Sequence, residues 1–239
     1  MQVELPEKTK RSLDDFVNRL SAAFKDELVS VFLYGSAASG EFIDKHSNLN
    51  LLVMLKNTGL ESLKKASGIT ARFKNIHPLF LTEDDLASSL DIFPIEFLDM
   101  QENYRILYGK DSLKNINIDT RNLKFQCEHE LKAKLLNLKH LYLKAANQPN
   151  LLRQALLKSV ASLLHILRNL LRLKGNKPAY LKQDVLKELA SEFHIQVKAL
   201  ERVLALKNKK ISVGAKEAEA LFADFINELE KIVELTDKL

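Results

Sequence analysis

The stretch Leu33-Tyr34-Gly35-Ser36-Ala37-Ala38-Ser39-Gly40-Glu41-Phe42, followed by Ser47-Asn48-Leu49-Asn50-Leu51-Leu52-Val53, decides how this 239-residue chain is read. Leading into it, Leu28-Val29-Ser30-Val31-Phe32-Leu33-Tyr34 is short and rich in β-branched and aromatic residues, as a buried strand should be. That strand runs into Gly35-Ser36 and a short helical turn. Eleven residues after Ser36 a second strand opens, with polar residues alternating at 48 and 50. Glycine at such a turn adopts backbone angles that other residues avoid, and the serine that follows stands at a helix start. Alternate residues on a strand share a face, so Asn48 and Asn50 are expected to point together.

Outward from this stretch, the first half reads as α/β with short connections. Residues 1–27 carry Leu13, Phe16, Val17, Leu20 and Phe24 at helical spacing. Residues 48–55 (NLNLLVML) and 76–81 (IHPLFL) read as strands separated by a helix over 60–73. Pro78 argues that the third strand lies at an edge or an end, because proline cannot donate to a ladder. Thr82-Glu83-Asp84-Asp85 resembles a capping box that opens another short helix, and Arg105-Ile106-Leu107-Tyr108-Gly109 adds a fourth candidate strand.

From Asp119 onward the strand signal disappears. Residues 120–146 form a long predicted helix with Leu123, Cys127, Leu131, Leu135, Leu138 and Tyr142 on one stripe. Pro149-Asn150 is expected to break the chain. Residues 151–173 are aliphatic on nearly every face, as the central helix of a bundle should be. Gly175 and then Pro178 stop that helix, and further helices fit 181–193, 195–207 and 215–238. The boundary falls near 112–119, where Asn115-Ile116-Asn117-Ile118 has little periodicity, giving domains over 1–115 and 119–239. The expected class is α+β, a mixed sheet with helices followed by an all-α bundle.

Composition is that of a globular protein, 46% hydrophobic and 28% charged. No apolar run approaches the roughly 18 residues that a membrane span needs, and the start MQVELPEKTKRSLDDF has no apolar signal core, so no membrane partner is expected. The lone Cys127 cannot form an intramolecular disulfide, which suits a reducing, cytoplasmic setting. Placed on a helix, it reads as a buried structural thiol. Net charge is +5, from 36 basic and 31 acidic residues, with a pI of about 9.1. That excess favours anionic ligands slightly and is compatible with nucleic acid without requiring it. The densest basic run, Lys207-Asn208-Lys209-Lys210, reads as a solvated loop.

Taken together, the strand, the Gly35-Ser36 turn, the spacer and the SNLNLLV strand resemble the nucleotidyltransferase superfamily typified by DNA polymerase β and kanamycin nucleotidyltransferase. In that superfamily Gly-Ser or Gly-Gly is followed, after a spacer of about this length, by Asp-x-Asp. The two aspartates and a third carboxylate on a neighbouring strand form a two-Mg²⁺ site for in-line attack on the α-phosphate of an NTP. The resemblance implies nucleotide binding at Gly35 and Ser36. The helical second half also suits it, since several members follow the catalytic domain with a bundle that shapes the acceptor cleft. Phe93-Pro94-Ile95-Glu96-Phe97 and Leu107-Tyr108-Gly109-Lys110-Asp111 are similar to segments of bacterial nucleotidyltransferase-like proteins of unassigned role.

The chain departs from the motif where the chemistry is done. Asn48 and Asn50 stand at both aspartate positions, and an amide oxygen brings no negative charge to a hard, reluctantly dehydrated Mg²⁺. The third strand, Asn75-Ile76-His77-Pro78-Leu79-Phe80-Leu81, contains no Asp or Glu. No catalytic residue and no metal ligand is therefore assigned, and Mg²⁺ and NTP are implied only for a functional site. Asp44, His46 and His77, with Glu41 nearby, are the alternative metal ligands. Loops place ligands poorly without outer support, so the simpler reading makes them loop and surface groups.

The remaining histidines add no chemistry. His165 falls on the apolar central helix and reads as a hydrogen-bonded core residue. His129 and His140 are eleven residues apart, about three helical turns, too far to share a metal. Arg168-Asn169-Leu170-Leu171-Arg172 lacks the histidine that a ribonuclease-type helical domain would show, and no CxxC, HExxH, P-loop or GxGxxG is present. Three functions stay open. The first is an impaired nucleotidyltransferase fold that acts as a nucleotide-binding, regulatory or interaction protein. The second is an active enzyme that transfers NMP to a small molecule, protein or RNA through displaced ligands. The third is a helical interaction module, a homodimer or bound to a protein partner, with no nucleotide.

Overall fold

Strand alternation gives this sheet two apolar faces, and each face has its own helices. The computed structural model describes residues 5–40, 42, 48–145, 148–175, 178–179 and 181–239. They fall into two units, Met1–Asp119 and Thr120–Leu239. The first unit runs α1 (Glu7–Phe24), β1 (Leu28–Tyr34), α2 (Ser36–Ser39), β2 (Leu49–Leu55), α3 (Leu60–Thr70), β3 (Ile76–Leu81), α4 (Glu83–Ser89), α5 (Pro94–Glu102) and β4 (Tyr104–Gly109). The strands form one sheet in the order β3-β2-β1-β4. β1 is antiparallel to β2 and to β4, and β3 is parallel to β2.

On one face, Val31 and Leu33 of β1 and Leu49, Leu51, Val53 and Leu55 of β2 pack with Leu13, Phe16, Leu20 and Phe24 of α1 and Ala66 of α3. On the other, Phe32, Leu52 and Met54 pack with Leu86 of α4 and with Phe97 and Met100 of α5. Leu113 and Ile118 close that second core, which ties residues 113–118 to the first unit. Each fully buried Leu or Phe contributes about 1.5–3 kcal/mol relative to exposure, so the two cores hold the sheet from both sides.

Local signals account for some element ends. Thr82 Oγ1 accepts the Asp85 N–H at 2.9 Å, and the Asp85 carboxylate accepts the Thr82 N–H at 2.9 Å, a capping box worth about 1 kcal/mol. Those bonds hold the Asp85 carboxyl below the usual range. The first helix begins only at Glu7 and gives way to a tighter turn over 25–27, and α3 ends at Thr70 rather than Phe73. α5 is a helix that sequence periodicity leaves unassigned. Pro94 stands in its first turn, where the missing N–H costs nothing.

The second unit holds α6 (Leu123–Ala145), α7 (Pro149–Leu173), α8 (Lys182–Phe193), α9 (Lys198–Lys207) and α10 (Ala215–Asp237). α7 packs against the other four, burying Leu156, Val160, Leu163, Leu167 and Leu171. Pro149 opens this helix rather than breaking the chain. His165 is exposed, not a core residue: Gln154, Lys158, Ser162 and His165 form an outward stripe at helical spacing. The polar groups that α7 does bury are Arg168 and Asn169. Arg168 Nε donates to the Ala179 carbonyl at 3.1 Å, and Asn169 Nδ2 donates to the His165 carbonyl at 2.8 Å. Lys207 is the last residue of α9 rather than part of a loop, and its Nζ donates to the Leu157 carbonyl at 3.2 Å. Among the described residues no helix is long and apolar enough to cross a membrane. The architecture is α+β, a mixed sheet with helices followed by an all-α bundle.

Two substitution sites follow from this packing. Gly109 has φ +76°, and a Cβ there would sit well inside contact distance of the Val29 carbonyl oxygen. Gly109→Ala should lower the unfolding free energy by about 2 kcal/mol or more, measured by urea denaturation. Cys127 is fully buried in α6, and burial pushes its thiol up to about 12. The thiol therefore stays protonated at neutral pH, and a disulfide-exchange reagent should label the folded protein negligibly and react fully only after unfolding.

Candidate functional site

The site begins where β1 stops. Gly35 has φ 74° and ψ −150°, a conformation essentially confined to glycine, and its carbonyl accepts the N–H groups of Ala38 and Ser39 at 3.0 and 3.1 Å. This closes the turn into α2, and Gly40, at φ 101°, ends it. A Cβ on Gly35 would lie 3.2 Å from Asn50 Nδ2. Glycine is needed here for its backbone angles and for the side chain across from it.

Strand register then assembles a row. Tyr34 lies opposite Asn50, and Asn50 lies opposite His77 on β3. On its other side Tyr34 lies opposite Tyr104. Residues abreast in a sheet share a face, so Tyr104, Tyr34, Asn50 and His77 form one line across it. Asn48 is exposed, one residue ahead of β2. The Leu49 N–H donates to the Asn75 carbonyl at 2.9 Å, which carries the pairing of β2 with β3 to the strand ends. Asn50 and His77 border an open cleft of about 560 Å³ that is also lined by Tyr34, Thr70, Lys74 and Leu79.

The electrostatics of the row are set by its flanks. Burial raises the pKa of Tyr34, and the charge of Glu96 on α5 raises it further, so its phenol stays neutral. Phe32 meets the Tyr104 ring edge-on at 5.6 Å. The Tyr104 hydroxyl donates to both Asp111 oxygens at 2.9 Å; burial, then this bond and the Asp111 charge, push it up to about 12. The Asp111 carboxylate also accepts the Lys114 N–H at 3.1 Å, so that acid is held in the loop after β4.

Gly35, Ser36 and Asn50 are thus brought together, with His77 abreast of Asn50. Asp44 and His46, with Glu41, lie outside the described residues. Tyr34, Lys74 and Glu96 were missed as participants. Tyr34 is signalled only by its place immediately before Gly35, and the others by nothing local. A two-Mg²⁺ site needs several hard, anionic oxygens, whereas the described residues at these positions offer two amides and an imidazole. Among the described residues, no three His, Cys, Asp or Glu side chains are grouped to hold a metal ion. The described residues alone do not make up such a site.

No protein-family model matches the chain. Over 108 residues it is 31% identical to a candidate protein adenylyltransferase of Methanocaldococcus jannaschii, across 42% of this chain and 71% of that protein. Among solved structures it resembles the spectinomycin adenyltransferase of Enterococcus faecialis, determined with ATP and spectinomycin. That match has a TM-score of 0.59 at 13% identity and covers 92% of this chain and 99% of the other. The structural likeness concerns the fold, and the sequence match carries kinship. With the strand, Gly-Ser turn and second strand arranged as described, the chain belongs to the nucleotidyltransferase superfamily.

Proposed function

We propose that this protein binds a nucleoside triphosphate with its phosphates against Gly35 and Ser36 and is impaired in nucleotidyl transfer. The observation that carries the reading is the row Tyr34–Asn50–His77, which has neutral or basic groups where a two-metal site needs carboxylates. Gly35 supports the phosphate placement, since it turns the end of β1 into α2 directly beside the Asn50 amide. The named activities of the matched relatives are both adenylyl transfers, and the structural relative was solved with ATP, so ATP is the nucleotide to test first. Those relatives also favour a second reading, an active transferase that recruits ligands from the spacer between α2 and β2. The transfer assay separates the two.

With ATP labelled at the α-phosphate and Mg²⁺ or Mn²⁺, incorporation into the protein itself or into candidate acceptors should not exceed background. Robust metal-dependent incorporation, abolished by Asn50→Ala, would establish the active reading. The double variant Asn48→Asp/Asn50→Asp should gain a thermal stabilisation by Mn²⁺-ATP that the wild type lacks, because ligand bound to the folded state stabilises it by mass action. Transfer should still be absent, with His77 in place of a third acid.

Gly35→Val tests the phosphate position. The side chain would face Asn50 Nδ2 from a backbone conformation that costs a non-glycine residue about 1–3 kcal/mol. At a temperature where circular dichroism shows the variant folded, its ATP affinity should fall at least about tenfold, or roughly 1.4 kcal/mol. Unchanged affinity would place the phosphates elsewhere.

A further inference from the structure

We infer that the cleft beside Asn50 takes the phosphates of a nucleoside triphosphate without a divalent cation, with Lys74 supplying the positive charge that metal ions supply in a carboxylate-bearing site, and Asn50 and His77 supplying hydrogen-bond donors. The inference rests on the nucleotide-binding reading above and adds how that binding is achieved. Its ground is the juxtaposition at the end of the sheet. Asn50 and His77 are abreast on β2 and β3, and Lys74, three residues before His77, lines the same cleft.

The chemistry of each group favours a bare polyphosphate. Aspartate can only accept hydrogen bonds and would repel phosphate unless a cation stood between them. Asparagine at the same place carries an NH₂ with two donors, so the Asn50 amide can meet a phosphate oxygen directly. No acid is among the described residues that line the cleft, whereas Lys74 brings a positive charge and three donors. Lys74 and His77 are both exposed, so neither must be dug out of a core to reach a ligand. The Thr70 hydroxyl donates to the Ala66 carbonyl at 2.9 Å and is committed to its helix, which leaves Lys74, His77, Asn50 and the Tyr34 hydroxyl as the side-chain groups along the cleft that can meet the anion. A free triphosphate carries more negative charge than its Mg²⁺ complex, so a cleft of this sign binds the free form more tightly.

The test is calorimetric titration of the full chain with ATP in two buffers, one with EDTA and one with excess Mg²⁺. Binding in EDTA that is at least as tight as binding in Mg²⁺ is expected. Lys74→Ala should weaken the EDTA binding by about tenfold, as loss of one charge-assisted contact does. Lys74→Glu should remove binding in EDTA, and both variants should keep the wild-type circular dichroism spectrum. Binding that requires Mg²⁺ overturns this inference and leaves the nucleotide-binding reading standing. Binding in neither buffer overturns both. Binding in EDTA that is indifferent to Lys74→Ala, Lys74→Glu and His77→Gln puts the phosphates in another place and overturns the inference alone.

Discussion

In the pairing of β1 with β2, Leu33 lies opposite Leu51 and Tyr34 opposite Asn50, and a slip of one residue would exchange the two faces of the sheet. Leu33 and Leu51 would then leave the core they share with α1, and Asn50 would be driven into it. Burying that amide without a partner costs about 1–3 kcal/mol, added to the lost apolar burial. The hydrophobic cores therefore hold the register, and the register places the polar row. The site is a by-product of packing: Asn50 and His77 stand abreast because Leu51, Leu52 and Val53 each have a place in a core.

How much of this could be read from the residues depends on whether the signal is local. β1 and β3 occupy the spans expected for them, since short apolar runs bounded by polar turns announce a strand directly. The Thr82 capping box is local too. α5 is only nine residues long, and its apolar positions Pro94, Ile95, Phe97, Leu98 and Met100 show no clean helical period; Phe97 and Met100 find their place against Phe32 and Met54. His165 misleads because apolarity around most of α7 hides a narrow outward stripe. Gly35 and Ser36 were legible as a turn motif. The line from Tyr34 through Asn50 to His77 was not, because it depends on which residues of three separate strands face one another. Lys74 belongs to the cleft only because α3 ends just before it and the chain turns into β3 there.

Replacing acids by amides changes the energetics of the empty site as well as its chemistry. Carboxylates gathered at a strand end repel one another, a cost on the order of 1 kcal/mol at a partly exposed site, and a metal-binding sheet recovers that cost when its ions bind. Asn48 and Asn50 impose no such repulsion.

Pro78 has a bearing on how separate molecules meet. β3 lies at the border of the sheet, and a border strand offers unpaired backbone groups on which a strand of another molecule can template itself. Proline lacks the N–H that such a template would use, and beside it stand His77 and the two-fifths-exposed Leu79. An intruding strand would meet an interrupted row of donors at the place where it would also roof over the cleft. A strand from another molecule therefore finds a poorer template on this border than on one that keeps every N–H.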